Sequence, residues 1–273
     1  MKYLYYLCVF SILFTSCDDP SLDQQNNGTD GEVVPIRDLV RLSSIQVAQN
    51  VMANITENVS MVYNEEELIS QVSFIGTTNV VYDFEYTANN RLITATKVAG
   101  SPIVYNFTYT SDSVFLDYTD SNGEQVQKQL YIDLQNRINR IVTRITNGSG
   151  ITTQTEDLRY QYTTNFNVSR IDRIDINGST LMGYSEFTYE LNNNPFRDMN
   201  DVLRLIIFPE FIPYTRYLPS SRIDYTSVSG NFIADRSFLY RYSLQEDLFP
   251  NAREITKTES GFTATTFEFF NYL

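Results

Sequence analysis

The side chains able to do chemistry are few in kind. Histidine and tryptophan are absent, and the two cysteines, Cys8 and Cys17, both lie near the N-terminus. The rest of the chain therefore has no thiol nucleophile, disulfide, Cys/His zinc site or Ser-His-Asp triad. Carboxylates are the remaining acid-base groups. Glu65, Glu66 and Glu67 fall in a hairpin turn, and Asp120, Ser121, Asn122 and Gly123 in another. Neither stretch has the alternating oxygen ligands, sixth-position glycine and distal glutamate of a calcium loop, so turn chemistry explains both. Asp83 and Glu85 share a strand face, yet no second acid stands at the separation a glycosidase pair needs. The chain reads as a non-enzyme, with no catalytic residue, metal or cofactor.

Arginine is the other group with chemistry to offer, since sixteen of the 20 basic residues are Arg. Six of them, Arg137, Arg140, Arg144, Arg159, Arg170 and Arg173, fall within 37 residues whose only acids are Glu156, Asp157 and Asp172. Arg140 and Arg144 on one strand face, with Arg173 on a nearby hairpin, are expected to converge on an anionic ligand such as a sulfated or uronic glycan. The competing reading is cross-strand ion pairing, with guanidinium groups stacked on neighbouring tyrosines. A formal charge of -13 counts against nucleic acid, and against an anionic membrane surface, as general partners.

At the N-terminus, Lys2 precedes an apolar run from Tyr3 to Phe14, shorter than the about 20 residues a spanning helix needs. Phe14-Thr15-Ser16-Cys17 resembles a lipobox. That resemblance implies a signal peptide over residues 1–16, cleavage before Cys17 and lipidation of its sulfur, with the membrane reached through that anchor. Residues 17–35 read as a flexible acidic tether, with a reach of roughly 20 to 25 Å as a coil. Asp18 and Asp19 resemble the export signal by which Bacteroidota send lipoproteins to the outer leaflet, which implies a lipid-anchored, surface-exposed place at the outer membrane. Asp112-Ser113-Val114 matches the O-glycosylation motif of exported Bacteroidota proteins, which implies a glycan on Ser113.

Strands must position these groups. Tyr82, Phe84 and Tyr86 alternate with Asp83 and Glu85, giving one aromatic and one acidic face. Thr87 to Asn90 form a turn in which asparagine tolerates positive φ, and the chain returns through Arg91 to Val98. The alternation recurs at Met61/Tyr63, Phe107/Tyr109, Tyr160/Tyr162, Phe187/Tyr189, Tyr240/Tyr242 and Phe267/Phe269. Return strands share a second signature: Ile69-x-x-Val72-x-Phe74, Ile93-x-x-Thr96-x-Val98 and Ile171-x-x-Ile174-x-Ile176. A gap of three followed by a gap of two is what one extra residue, a β-bulge just after the turn, produces. The pattern predicts an all-β antiparallel meander of about sixteen strands in a single domain over residues 36–273. A flat sheet of that size would be roughly 75 Å wide, so it is expected to curl into a curved sheet or open barrel, or to fold into two layers.

The repeat is interrupted once. Tyr189 and Tyr242 are 53 apart, nearly twice the 27 between Tyr162 and Tyr189, so residues 192–220 replace one unit. Pro195, Asp198 and Asp201 followed by Val202, Leu203, Leu205 and Ile206 predict a short helix that Pro209 ends. In the irregular apolar stretch after it, Phe208 and Phe211 are expected in the core. Tyr214 and Tyr217, whose hydroxyls need polar partners, are expected at the edge of a cover, bordering a ligand surface.

Tyr-x-Tyr, a short turn and Arg-Leu or Arg-Ile, as in Tyr86 to Leu92, Tyr131 to Ile138 and Tyr162 to Ile171, resemble degenerate YD-type repeats of Rhs and teneurin shells. With the lipobox and Asn192-Asn193-Asn194-Pro195-Phe196, about residues 40–273 resemble more closely the uncharacterised β-repeat lipoproteins of the Bacteroidota surface. Thr87 stands where YD repeats carry Asp and Asn90 where they carry Gly. Eight or so units are also too few for a closed cocoon, so encapsulation does not carry over. The functional expectation is a cell-envelope lipoprotein that binds a glycan or another envelope protein without turning it over. The alternatives are a carboxylate-dependent hydrolase of envelope or dietary glycans and a half-barrel lipid- or lipoprotein-handling protein.

Overall fold

Among the described residues, period-two alternation resolves into sixteen strands, with one helix between the twelfth and the thirteenth. In the computed structural model the chain divides into Met1–Asp38 and Leu39–Leu273. The residues described are 41–49, 54–98, 102–197, 199–208, 215–245 and 249–273. In chain order the first strands are β1 (Leu42–Ala48), β2 (Ile55–Tyr63), β3 (Ile69–Gly76), β4 (Val80–Tyr86), β5 (Leu92–Lys97), β6 (Ile103–Tyr109), β7 (Ser113–Thr119) and β8 (Gln125–Ile132). They continue with β9 (Ile138–Thr146), β10 (Thr152–Tyr162), β11 (Val168–Ile174) and β12 (Leu181–Asn193), then α1 (Asp201–Ile207). The last four are β13 (Tyr217–Val228), β14 (Asn231–Leu244), β15 (Pro250–Glu259) and β16 (Phe262–Tyr272).

Each strand pairs antiparallel with its chain neighbours, and β1 pairs with β16 from Leu42 opposite Tyr272 to Ala48 opposite Phe267, so the meander is a closed barrel. The sequence reading of a curved sheet or open barrel is corrected here. Closure removes both edges, whose unpaired N–H and C=O groups would otherwise template association. The meander brings the ends of all even-numbered strands, the start of β1 and the end of β16 to one rim, the tyrosine rim.

Hairpins at that rim use one turn repeatedly. The N–H of Asn90 donates to the Thr87 carbonyl (3.0 Å), that of Asn136 to Asp133 (3.0 Å) and that of Phe166 to Thr163 (3.1 Å). The first residue of each turn accepts again through its side chain, Thr87 Oγ1 from the Arg91 N–H (3.1 Å) and Asp133 Oδ1 from the Arg137 N–H (2.9 Å). Asn90 and Asn136 sit at φ 61° and 59°, the left-handed region that asparagine enters at low cost. Asp120 works the same way on the other rim, accepting from the N–H groups of Asn122 and Glu124 (both 2.9 Å).

A bulge follows the turn at the tyrosine rim. Tyr63 lies opposite Ile69 but Val62 opposite Gln71, Tyr86 opposite Leu92 but Glu85 opposite Thr94, and Tyr162 opposite Val168 but Gln161 opposite Arg170. The residue before the bulge, Ile69, Leu92 or Val168, points into the barrel and is buried. The expected signature had the right register in β3 only. In β5 the inward set is Leu92, Ala95 and Lys97, one residue earlier than read, and Ile93 and Val98 face out; Ile176 is likewise exposed.

The lumen holds the core: Val59, Met61, Val72, Phe84, Phe107, Leu116, Leu130, Ile141 and Tyr160 from the wall, with Phe196, Val202, Leu203, Ile207 and Phe208 from the insertion. The outer face carries a polar ladder instead. Gln71 donates to Asp83 (2.8 Å), Thr94 to Glu85 (2.9 Å), Gln127 to Asp117 (2.9 Å) and Gln161 to Asp172 (2.8 Å). Apolar residues on that face have polar neighbours: Val62 lies opposite Gln71, Val104 opposite Thr96, and Leu239 between Ser221 and Thr256.

Candidate functional site

The insertion decides how much of the lumen stays open. Asn194, buried, accepts the Phe196 N–H (3.0 Å) through Oδ1 and donates to the Thr215 carbonyl (3.1 Å) through Nδ2, which draws the two ends of the segment together. Asn167, only 3% exposed, accepts the N–H groups of Arg216 (2.9 Å) and Tyr217 (3.0 Å). Asn200 caps α1 by accepting from the Val202 N–H (2.9 Å), and the helix turns Val202, Leu203 and Ile207 into the barrel. Phe208 packs on Phe196 (5.3 Å between centroids) and Phe74 (5.9 Å), and Phe196 meets Phe270 at 6.2 Å. One ionic group goes in with the helix: Arg204 is 2% exposed and paired with Asp201. The tyrosine-rim half of the lumen is thus filled.

A cavity of about 310 Å³ remains beyond α1, reaching Thr78 in the β3–β4 turn at the opposite rim. Its floor is Ile206, Ile207, Phe208 and Phe74, and its walls include Ile45, Val59, Val80 and Tyr82. Glu57, Lys97 and Thr78 also line it. Glu57 Oε1 is fully covered by protein yet accepts no hydrogen bond. Among the described residues, the Lys97 ammonium, the Tyr82 hydroxyl and the Thr78 hydroxyl have no intramolecular partner either. Burial raises the Tyr82 pKa, so the phenol is neutral and able to donate at physiological pH.

Elsewhere in the lumen, several charged groups are matched internally. Asp224, 0% exposed, accepts from Ser185 Oγ (2.6 Å), from Arg222 through Nε (2.7 Å) and Nη2 (3.0 Å), and pairs with Arg236 (3.1 Å). Burial alone would raise its pKa, but the Arg222 hydrogen bond and charge, with Ser185 and Arg236, outweigh it and hold the carboxyl below its ordinary value. Arg253 is fixed on Glu268 through Nε (3.0 Å) and Nη2 (2.5 Å). Arg173 lies over Gly183 to donate to the Tyr225 carbonyl (2.9 Å). A Cβ at Gly183 would fall 2.4 Å from that oxygen and 2.8 Å from the guanidinium, so only glycine leaves the route open.

The sequence-predicted groups lie apart from the cavity. Arg140 and Arg144 are on the outer face and Arg173 on the inner one, so the three do not converge. Arg140 forms a two-point pair with Asp157 (2.9 and 2.8 Å) and covers the Tyr131 ring at 5.3 Å; Arg159 adds a third contact to Asp157 (3.1 Å). Arg144 donates to Gln129 (3.3 Å). The competing reading, cross-strand pairing and stacking, describes this cluster. Tyr217 is half-buried at the start of β13, under the Arg216 guanidinium (5.6 Å), and does not border the cavity. Ser113 is 3% exposed at the start of β7, so a glycan there would have to be attached before that strand enters the sheet. Phe208 is core, as expected; Phe211, Tyr214, Cys17 and the whole of residues 1–35 lie outside the described residues. Glu57 and Lys97 went unnoticed, although their signal was present: a charge at an inward position of an alternating strand.

No family model matches the chain, and no curated protein does. Among solved structures, a porin-like protein from Bacteroides uniformis is 11% identical over 85% of this chain and 96% of that one, with a TM-score of 0.40. A porin-like protein from Bacteroides vulgatus is 12% identical over 86% and 99%, with a TM-score of 0.43. The N-terminal domain of the effector SpvB from Salmonella typhimurium is 10% identical over 80% and 87%, with a TM-score of 0.24.

Proposed function

We propose that this chain is a non-enzymatic binding protein of the cell envelope, held at the outer membrane by a lipid on Cys17, whose barrel stands in water and admits a small amphipathic ligand to its lumen. The observation that carries the reading is the cavity beyond α1. Its apolar floor and walls are ringed by four polar groups that find no partner among the described residues, whereas Asp224, Arg222 and Arg253, which also face the lumen, are paired. Buried polar groups are ordinarily satisfied, and an apolar pocket with a few convergent polar groups is the usual form of a small-molecule site. The outer arginines, being engaged with Asp157 and Gln129, offer an anionic glycan little that is free.

The test is uptake of a fluorescent apolar probe, N-phenyl-1-naphthylamine, by the full chain. Val59→Phe and Val80→Phe place extra volume in the cavity walls, and each is expected to weaken binding about tenfold while melting stays within a few degrees. Probe binding unchanged in both folded variants would remove the lumen from consideration.

A further inference from the structure

The two unpaired charges in the cavity have opposite sign and come from different walls. Glu57 is on β2 and Lys97 on β5, three strands apart, hence roughly 14 Å between strand axes. Register adds an offset along the strands: Lys97 lies opposite Tyr82, Tyr82 opposite Val72 and Val72 opposite Met61, four residues from Glu57. Neither charge has an ion-pair partner among the described residues, and Glu57 Oε1 is sealed from solvent. Between them lies the apolar floor of Ile206, Ile207, Phe208 and Phe74, with the Tyr82 hydroxyl as an added donor or acceptor.

We infer that the lumen ligand is a short apolar peptide of two or three residues with free ends, its ammonium on Glu57 and its carboxylate on Lys97. This rests on the lumen reading above and adds the ligand's class. A single amino acid holds its charges too close together to reach both walls. A peptide adds about 3.5 Å per residue, so two or three residues span the interval that remains once the two long side chains have reached inward. The apolar side chains of such a ligand would cover the floor, and the cavity lies at the small end of the range for ligand pockets. Complementary charge at both ends also selects against free fatty acids and alkylamines, each of which leaves one of the two charges unpaired.

Isothermal titration of the full chain with Leu-Phe, with its N-acetylated form and with its C-terminal amide tests this without any variant. The free dipeptide is expected to bind, and each capped form to bind at least tenfold more weakly. Glu57→Gln should abolish the difference between free and acetylated peptide, and Lys97→Met the difference between free and amidated peptide. Equal affinity for the free dipeptide and for both capped forms would overturn the inference. So would binding of the naphthylamine probe but of no peptide, an outcome that leaves the lumen reading standing. Loss of both ligands in folded protein would end both.

Discussion

A bulge opposes two residues to one and breaks the ladder locally, leaving a carbonyl that needs a donor. At the tyrosine rim that donor is the tyrosine closing the neighbouring even-numbered strand. Tyr63 donates to the Leu42 carbonyl (2.8 Å), Tyr86 to Ile69 (2.7 Å), Tyr162 to Ile138 (2.6 Å), Tyr189 to Val168 (2.6 Å), Tyr242 to Pro219 (2.7 Å) and Tyr272 to Pro250 (2.6 Å). The recurring Tyr is therefore half of a two-residue device whose other half is the bulge. Tyr109 holds the equivalent place in β6, but its buried hydroxyl has no partner among the described residues. Removing a satisfied donor from a buried carbonyl costs about 1 to 3 kcal/mol, whereas removing an unsatisfied hydroxyl costs little or stabilises. Urea unfolding at neutral pH should accordingly show Tyr86→Phe less stable by roughly 1 to 3 kcal/mol and Tyr109→Phe at or slightly above the parent. Equal losses in both would mean that the hydroxyls are incidental to the ring packing.

What the sequence made legible at the scale of elements follows from period. Tyr82, Phe84 and Tyr86 have no register to choose, because the aromatic face declares itself. Leu92 and Ile93 are both apolar and adjacent, and a slip of one residue turns every following side chain to the other face. The return strand β5 was accordingly read one position late, and Lys97 was hidden with it. The interruption of the repeat was visible as a doubled spacing and its helix as an apolar stripe, but the clamps were not. Asn167 and Asn194 act through backbone groups 49 and 21 residues away, and no local pattern encodes such a contact. The packing of α1 also says what kind of cover it is: Leu203 is buried among wall residues, so the helix shares the barrel's core. Leu203→Ala should lower global stability by about 2 to 5 kcal/mol within one cooperative transition. Two transitions, the first confined to the insertion, would show a lid that opens on its own.

For the whole molecule, strand count argued for curling but closure depends on β1 meeting β16 in register, which combines the tilt of sixteen strands and is written in no single one. The sense of the wall was legible in β4, where Tyr82, Phe84 and Tyr86 read as one face and Asp83 and Glu85 as the other, and closure puts the aromatic face inside; in β16 the register is one residue off, since Phe269 lies opposite Gln46 on the outer face and Phe270 is buried opposite Ile45. A barrel that spans a bilayer needs the reverse, an outward apolar band about 25 Å tall over a polar interior, because lipid satisfies no hydrogen bonds. Here the outward positions of β8 to β11 include Gln127, Gln129, Arg140, Arg144, Asp157, Arg159, Arg170 and Asp172 beside Tyr131, Val142 and Ile174, and several of the charges are joined in ion pairs. Seating such residues at mid-bilayer costs roughly 2 to 4 kcal/mol for each Arg, several times over. That cost supports the proposed reading, in which the wall stands in water and a lipid on Cys17 holds the chain to a membrane. Phase separation in Triton X-114 distinguishes the two situations. The lipidated chain should enter the detergent phase and Cys17→Ala should move to the aqueous phase, still folded by its far-ultraviolet β spectrum. A folded Cys17→Ala protein that stays with detergent would mean that the barrel wall itself binds lipid, against the polarity of its outer face.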